Sequence, residues 1–119
     1  MGRPPLGRAA GRNAVTAAIA TVYAVFPDGD EAARIGRAMV EQGLAACVNI
    51  LAPCRSIYRW QGAIEEAVEV PALFKARADR AEDLIAAIAS AHSYDVPAAV
   101  AWPIAAAHPA YRAWIVDGI

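Results

Sequence analysis

The chain has 119 residues, enough for one domain around a single core and too few for two. Eleven Lys+Arg against twelve Asp+Glu leave a formal net charge of -1, which excludes the basic footprint that nucleic acid requires. A hydrophobic content of 58% is more than a small monomer needs, and points to a homo-oligomer that hides the excess.

Residues 1–14, MGRPPLGRAAGRNA, are Gly, Pro and Arg with little to bury, and read as a disordered arm ahead of a domain spanning 15–119. Arg3, Arg8 and Arg12 before the run AVTAAIATVYAVF imitate a secretion signal. However, the alternation of Ile19, Thr21, Tyr23 and Val25 suits a strand, and acidic PDGDEAA stands where a small-residue cleavage site belongs. A first strand is therefore expected from Val15 to Phe26, stopped by Pro27. Asp28 and Glu31 form a capping box for a helix whose Ala32, Ile35, Met39 and Val40 recur at helical spacing until Gly43 ends it.

A second strand is expected from Leu44 to Tyr58, interrupted around Pro53 because proline donates nothing to a ladder. Gln61-Gly62 then forces an antiparallel hairpin. In the third strand, Ala63 to Arg77, Ile64, Val68, Val70 and Phe74 share one face and Glu65, Glu69, Lys75 and Arg77 the other. Pro71 should mark a bulge or an edge there. Asp79 with Glu82 repeats the capping-box signature before Leu84, Ile85 and Ile88, in a helix ending near His92. Ala98 to Ile104 reads as a short edge strand with Val100, Trp102 and Ile104 on one face. Pro109, then Tyr111, Trp114 and Ile115, read as a closing helix. The order β-α-β-β-α-β plus a helix is the split βαβ pattern of an α+β, ferredoxin-like sandwich.

RNA-recognition domains share this order, but EVPALFKAR stands where their Gly-Phe-Gly-type run belongs. No catalytic centre is legible: two histidines and two cysteines do not specify a nucleophile with its base, and adjacent Glu65 and Glu66 point to opposite faces. Cys47 reads first as a small buried residue and alternatively as a soft metal ligand. Cys54, seven residues on, lies about 23 Å away along an extended strand, so both should be reduced thiols in a cytosolic protein. His92 suits a helix C-terminus, His108 a helix start, and Lys75 either solvent or a cleft.

GLAACVNI (43–50), SIYRWQG (56–62), FKAR (74–77), HSYDVP (92–97) and PAYRAWI (109–115), in this order and spacing, resemble the CutA family of divalent-cation tolerance proteins over residues 15–119. The resemblance implies a cytoplasmic homotrimer of ferredoxin-like subunits, each sending its long second-to-third-strand hairpin to a neighbour. Tyr58 and Trp60 would then lie at a subunit boundary. It implies a non-enzymatic protein that binds divalent metal ions such as Cu2+ weakly and contributes to the response to metal ions, with no organic cofactor and no nucleic-acid or membrane partner. Carried over by position, Cys47 and His92 are the expected metal ligands. A similarity in architecture to PII-type signalling proteins gives a second reading, a sensor with a small anionic metabolite in intersubunit clefts lined by Tyr58, Trp60, Lys75 and Tyr94. The chain departs from the family pattern at Gln61-Gly62-Ala63, where Glu-Gly-Lys is usual, and at Ser93, where proline is usual.

Overall fold

The computed structural model describes residues 17–118, so the arm expected over 1–14 and the start of the first strand lie outside it. Strand β1 (Ile19–Phe26) is covered on both faces, as a central strand of apolar and β-branched residues should be. Helix α1 (Gly29–Glu41) begins where expected: Asp28 Oδ1 accepts the Glu31 amide at 2.8 Å, satisfying one orphan donor of the first turn. It buries Ala32, Ile35 and Met39. It ends at Gly43, whose φ of 72° allows the Gly43 amide to reach Val40 O and the Leu44 amide Met39 O, a Schellman stop. Asp28→Ala should lower stability by about 1 kcal/mol, read as a fall in denaturation midpoint.

The expected second strand is present in two pieces, β2 (Cys47–Ile50) and β3 (Cys54–Trp60), both paired with β4 (Ala63–Arg77). The reason lies across the ladder. Ile50 pairs with Ala72 and Cys54 with Glu69, so Leu51, Ala52 and Pro53 face only Val70 and Pro71. Pro71 pairs in register with Val25 of β1, and its carbonyl accepts from Leu51. Its missing N–H is therefore on the side of the break. The irregularity foreseen at Pro71 exists, but the extra residue belongs to the opposing strand and β4 itself runs through. Gln61 (φ 51°) and Gly62 (φ 84°) then close a two-residue turn with both central residues left-handed, the geometry that matches strand twist. Because a glutamine occupies a left-handed position, Gln61→Gly should raise the denaturation midpoint, by about 0.5–1 kcal/mol in stability.

One expectation fails. Asp79 does not cap the second helix; it forms a two-point ion pair with Arg77, and residues Ala78–Arg80 make a 3₁₀ turn before α2 (Ala81–Ala91), whose first turn has no side-chain cap. A bidentate guanidinium two residues away outcompetes the backbone amide for the carboxylate. Strand β5 (Ala99–Pro103) pairs only with β1 and forms the foreseen edge. Helix α3 (Pro109–Asp117) is capped by His108, whose Nδ1 accepts the Ala110 amide at 3.1 Å.

The five strands form one sheet in the order β2-β4-β1-β5, with β3 extending the β2 side, which is the ferredoxin-like arrangement. Helices α1 and α2 cover one face, over a core that includes Phe26, Phe74, Ile35, Leu84 and Ile88. Helix α3 packs on the other face near one end, burying Ile115 beside β1 and β4. Beyond this sandwich the β3–β4 hairpin projects alone. The extents of 52 × 27 × 23 Å and a radius of gyration of 15.5 Å, above the about 13 Å of a compact chain this size, record that projection.

Candidate functional site

On the hairpin, Tyr58 pairs with Glu65, Ser56 with Ala67 and Cys54 with Glu69, so aromatic rings and carboxylates share one face. The loop after α2 folds over the base of that face. His92 anchors the loop. Its ring is buried and stacked on Phe26 at 5.0 Å, its Nε2 donates to Val25 O at 2.7 Å, and its Nδ1 accepts the Tyr94 amide at 3.0 Å. Glu31 fastens the next residue: its carboxylate accepts both the amide and the hydroxyl of Ser93 at 3.0 Å and lies 3.5 Å from His92 Nδ1. A proline at position 93 would lack both donors. Tyr94 completes the strap by donating its hydroxyl to Glu69 at 2.8 Å.

Loop and hairpin enclose a cleft of about 620 Å³ lined by Ser56, Tyr58, Trp60, Glu65, Glu69, Tyr94 and Asp95, with Val25, Ser93, Val96 and Ala98. Burial, then the hydrogen bond to Glu69 and the negative charges around it, push the Tyr94 phenol up to about 12. The fold thus keeps a proton that the unfolded chain releases near pH 10. This contribution to stability is complete below pH 10 and is lost as pH rises through about 12. An ultraviolet titration should show one of the four tyrosines ionising near pH 12, and Glu69→Gln should bring it down.

Three of the four expected cleft residues, Tyr58, Trp60 and Tyr94, therefore meet, whereas Lys75 does not. It pairs with Cys47, six residues or about 20 Å along β4 from Glu69, and donates its ammonium to Asn49 Oδ1. Alternation on β4 located the side chain's face but not its position along the strand. Within one subunit the cleft lining holds three carboxylates and neither lysine nor arginine.

The two expected metal ligands lie on opposite sides of the sheet. Cys47 shares the face of Lys75 and Thr21 beneath α3, half-buried, with its Sγ 3.5 Å from the Tyr111 hydroxyl. His92 packs on Phe26 in the core under the other helices, and both its ring nitrogens are engaged. Cys54 is also a free thiol, 3.8 Å from the Ser56 hydroxyl. Among the described residues no group of three or more His, Cys, Asp or Glu could hold a metal ion. Sequence reasoning gave no site role to Glu31, Glu69, Ser93 or Asp95. The legible signal was that Glu65 and Glu69 share a strand face with an aromatic partner strand.

Comparison with known proteins gives concordant findings. A family model described as CutA1 divalent ion tolerance protein matches residues 20–118. The chain is 35% identical over 103 residues to Protein CutA homolog of Xenopus laevis, covering 87% of this chain and 68% of that one. It is 39% identical over 94 residues to Divalent-cation tolerance protein CutA of Thermus thermophilus, covering 79% and 91%. The crystal structure of CutA1 from Oryza sativa superposes with a TM-score of 0.84 at 29% identity, covering 87% of this chain and 95% of that one. Sequence and fold agree over the sandwich and its hairpin: the chain belongs to the CutA1 family of divalent ion tolerance proteins.

Proposed function

We propose that the protein is a non-catalytic homotrimer that binds divalent cations, Cu2+ among them, and serves tolerance of metal ions in the cytoplasm. The observation that carries the assembly is the hairpin. Ile57, Ile64 and Val68 on its one face are 66%, 63% and 67% exposed, and Trp60 on the other is 46% exposed. A projecting ribbon that exposes large apolar side chains on both faces, among its charged ones, favours association with other copies in water. Membership in the family supports the divalent-cation reading. Because no donor cluster exists among the described residues of one chain, the metal is read as cargo met by few donors, or by donors from more than one copy.

Cys47 is the donor retained, a half-buried thiol whose soft sulfur suits copper. His92 can ligate only by giving up a hydrogen bond that holds the loop. Two free thiols fit a reducing compartment, and no helix among the described residues is long and apolar enough to cross a membrane. Copper titration of the assembled protein provides the test. Cys47→Ser should weaken binding by roughly tenfold or more, the scale of one lost ligand bond. Unchanged affinity in that variant would remove the proposed donor.

A further inference from the structure

We infer that the loop after α2 is a brace that sets the angle between the β3–β4 hairpin and the sandwich: Tyr94 grips Glu69 just beyond a hinge in the ribbon and holds the hairpin in the orientation in which another copy receives it. The brace is a property of one chain, and its consequence for association rests on the proposed assembly.

The hinge follows from strand pairing. Residues 72–75 of β4 are paired on both edges, with β1 and β2, whereas residues 63–69 are paired on one edge, with β3. The change falls at Val70 and Pro71, opposite Leu51, Ala52 and Pro53, which belong to neither β2 nor β3. A strand that carries extra residues bends where they sit, and a two-stranded ribbon twists more than a wide sheet. The ladder alone therefore leaves the angle of the hairpin loosely determined.

The lever is long. Glu69 and Gln61 are eight residues apart, about 26 Å along the strand, so a rotation of about 10° at the base carries the tip about 5 Å. That is the spacing between neighbouring strands, enough to miss a receiving surface on another copy.

The brace is rooted on the sandwich. Phe26 of β1, His92 and Tyr94 form a series of rings, with successive centroids 5.0 Å and 4.8 Å apart, that runs outward from the core. His92 joins the Val25 carbonyl to the Tyr94 amide, and Glu31 of α1 accepts two hydrogen bonds from Ser93. From this base the Tyr94 hydroxyl donates to Glu69 at 2.8 Å, and Glu69, opposite Cys54, belongs to the first pair beyond the hinge. The bond thus crosses from sandwich to hairpin at the point where a fixed contact stops rotation. Burial, then the bond to Glu69, pushes the phenol up to about 12, so the donor keeps its proton throughout the neutral range.

The test reads the angle directly. Spin labels are placed on Ala33→Cys, on the outer side of α1, and Arg59→Cys, near the hairpin tip, both exposed positions, with Cys47→Ser and Cys54→Ser removing the native thiols. Ile64→Asp with Val68→Asp supplies single full-length chains, so that no neighbour holds the hairpin. The expected result is a narrow distribution of label distances that broadens in Tyr94→Phe, which keeps the ring on His92 and loses the hydroxyl alone. Glu69→Ala should broaden it equally. Glu69→Gln should restore the narrow distribution, because its carboxamide oxygen still accepts from the phenol. In chains that keep Ile64 and Val68, Tyr94→Phe should weaken association by roughly tenfold or more, the scale of one charge-assisted hydrogen bond. An unchanged distribution in Tyr94→Phe, or one that broadens as much in Glu69→Gln as in Glu69→Ala, would overturn the brace, and unaltered association in Tyr94→Phe would overturn its part in assembly. The mass of the unsubstituted protein, measured alongside, decides the assembly itself, so a failed brace and a failed assembly are told apart.

Discussion

Substituting aspartate for both Ile64 and Val68 is expected to convert the protein from a stable assembly into single chains while leaving each chain folded. Both side chains project from the hairpin face that bears Ile57 and Arg59, and each is more than 60% exposed in the isolated subunit. Removing them costs the subunit's own core nothing. In an assembly each such side chain contributes about 1.5–3 kcal/mol when covered, and a buried unpaired carboxylate opposes association by more than that. Repeated in every copy, the change exceeds the few kcal/mol that separate a tight complex from a weak one. Sedimentation should give the single-chain mass with native far-ultraviolet circular dichroism. Retention of the assembled mass would show that this face of the hairpin is not what neighbours cover.

His92→Ala is expected to be the most damaging single polar substitution. The ring fills a buried space against Phe26, and its two nitrogens satisfy the Val25 carbonyl and the Tyr94 amide. Alanine leaves a cavity and two unpaired backbone groups, a loss of about 2–4 kcal/mol. The damage should spread along the strap. Without the Tyr94 amide anchored, the bond from its hydroxyl to Glu69 and the wall of the cleft lose their support. Denaturant unfolding measures the first effect, and faster hydrogen exchange at Ser93 and Tyr94 the second. If the variant kept wild-type stability but lost copper affinity, His92 would be a ligand rather than an anchor. The expected pattern is the reverse.

Much of this fold was legible because period and punctuation agreed. Alternation in IATVYAVF marked the central strand, Asp28 and Gly43 bracketed α1, and Gln61-Gly62 fixed the hairpin. Pro53 announced a break that register explains through Pro71. Where local signals competed, the sequence could not arbitrate. Asp79 has the spacing of a cap, and only the geometry of Arg77 reveals that an ion pair takes it. The apolar positions of β4 read as one buried face, yet Val70 and Phe74 lie in the core while Ile64 and Val68 stand in solvent on the projecting half. A periodic pattern reports which side chains want cover, not which chain supplies it. The cleft was half legible for the same reason. Aromatic residues of SIYRWQG and HSYDVP could be brought together by analogy, but the acidic character of the wall depends on register across the hairpin and on a loop fastened by Glu31.

The most direct measurement is the mass of the unmodified protein in solution, by light scattering or native mass spectrometry at micromolar concentration. In the proposed assembly other copies cover the exposed apolar side chains of the hairpin, and the expected mass is three times the 12.5 kDa of one chain. A single-chain mass would contradict the account.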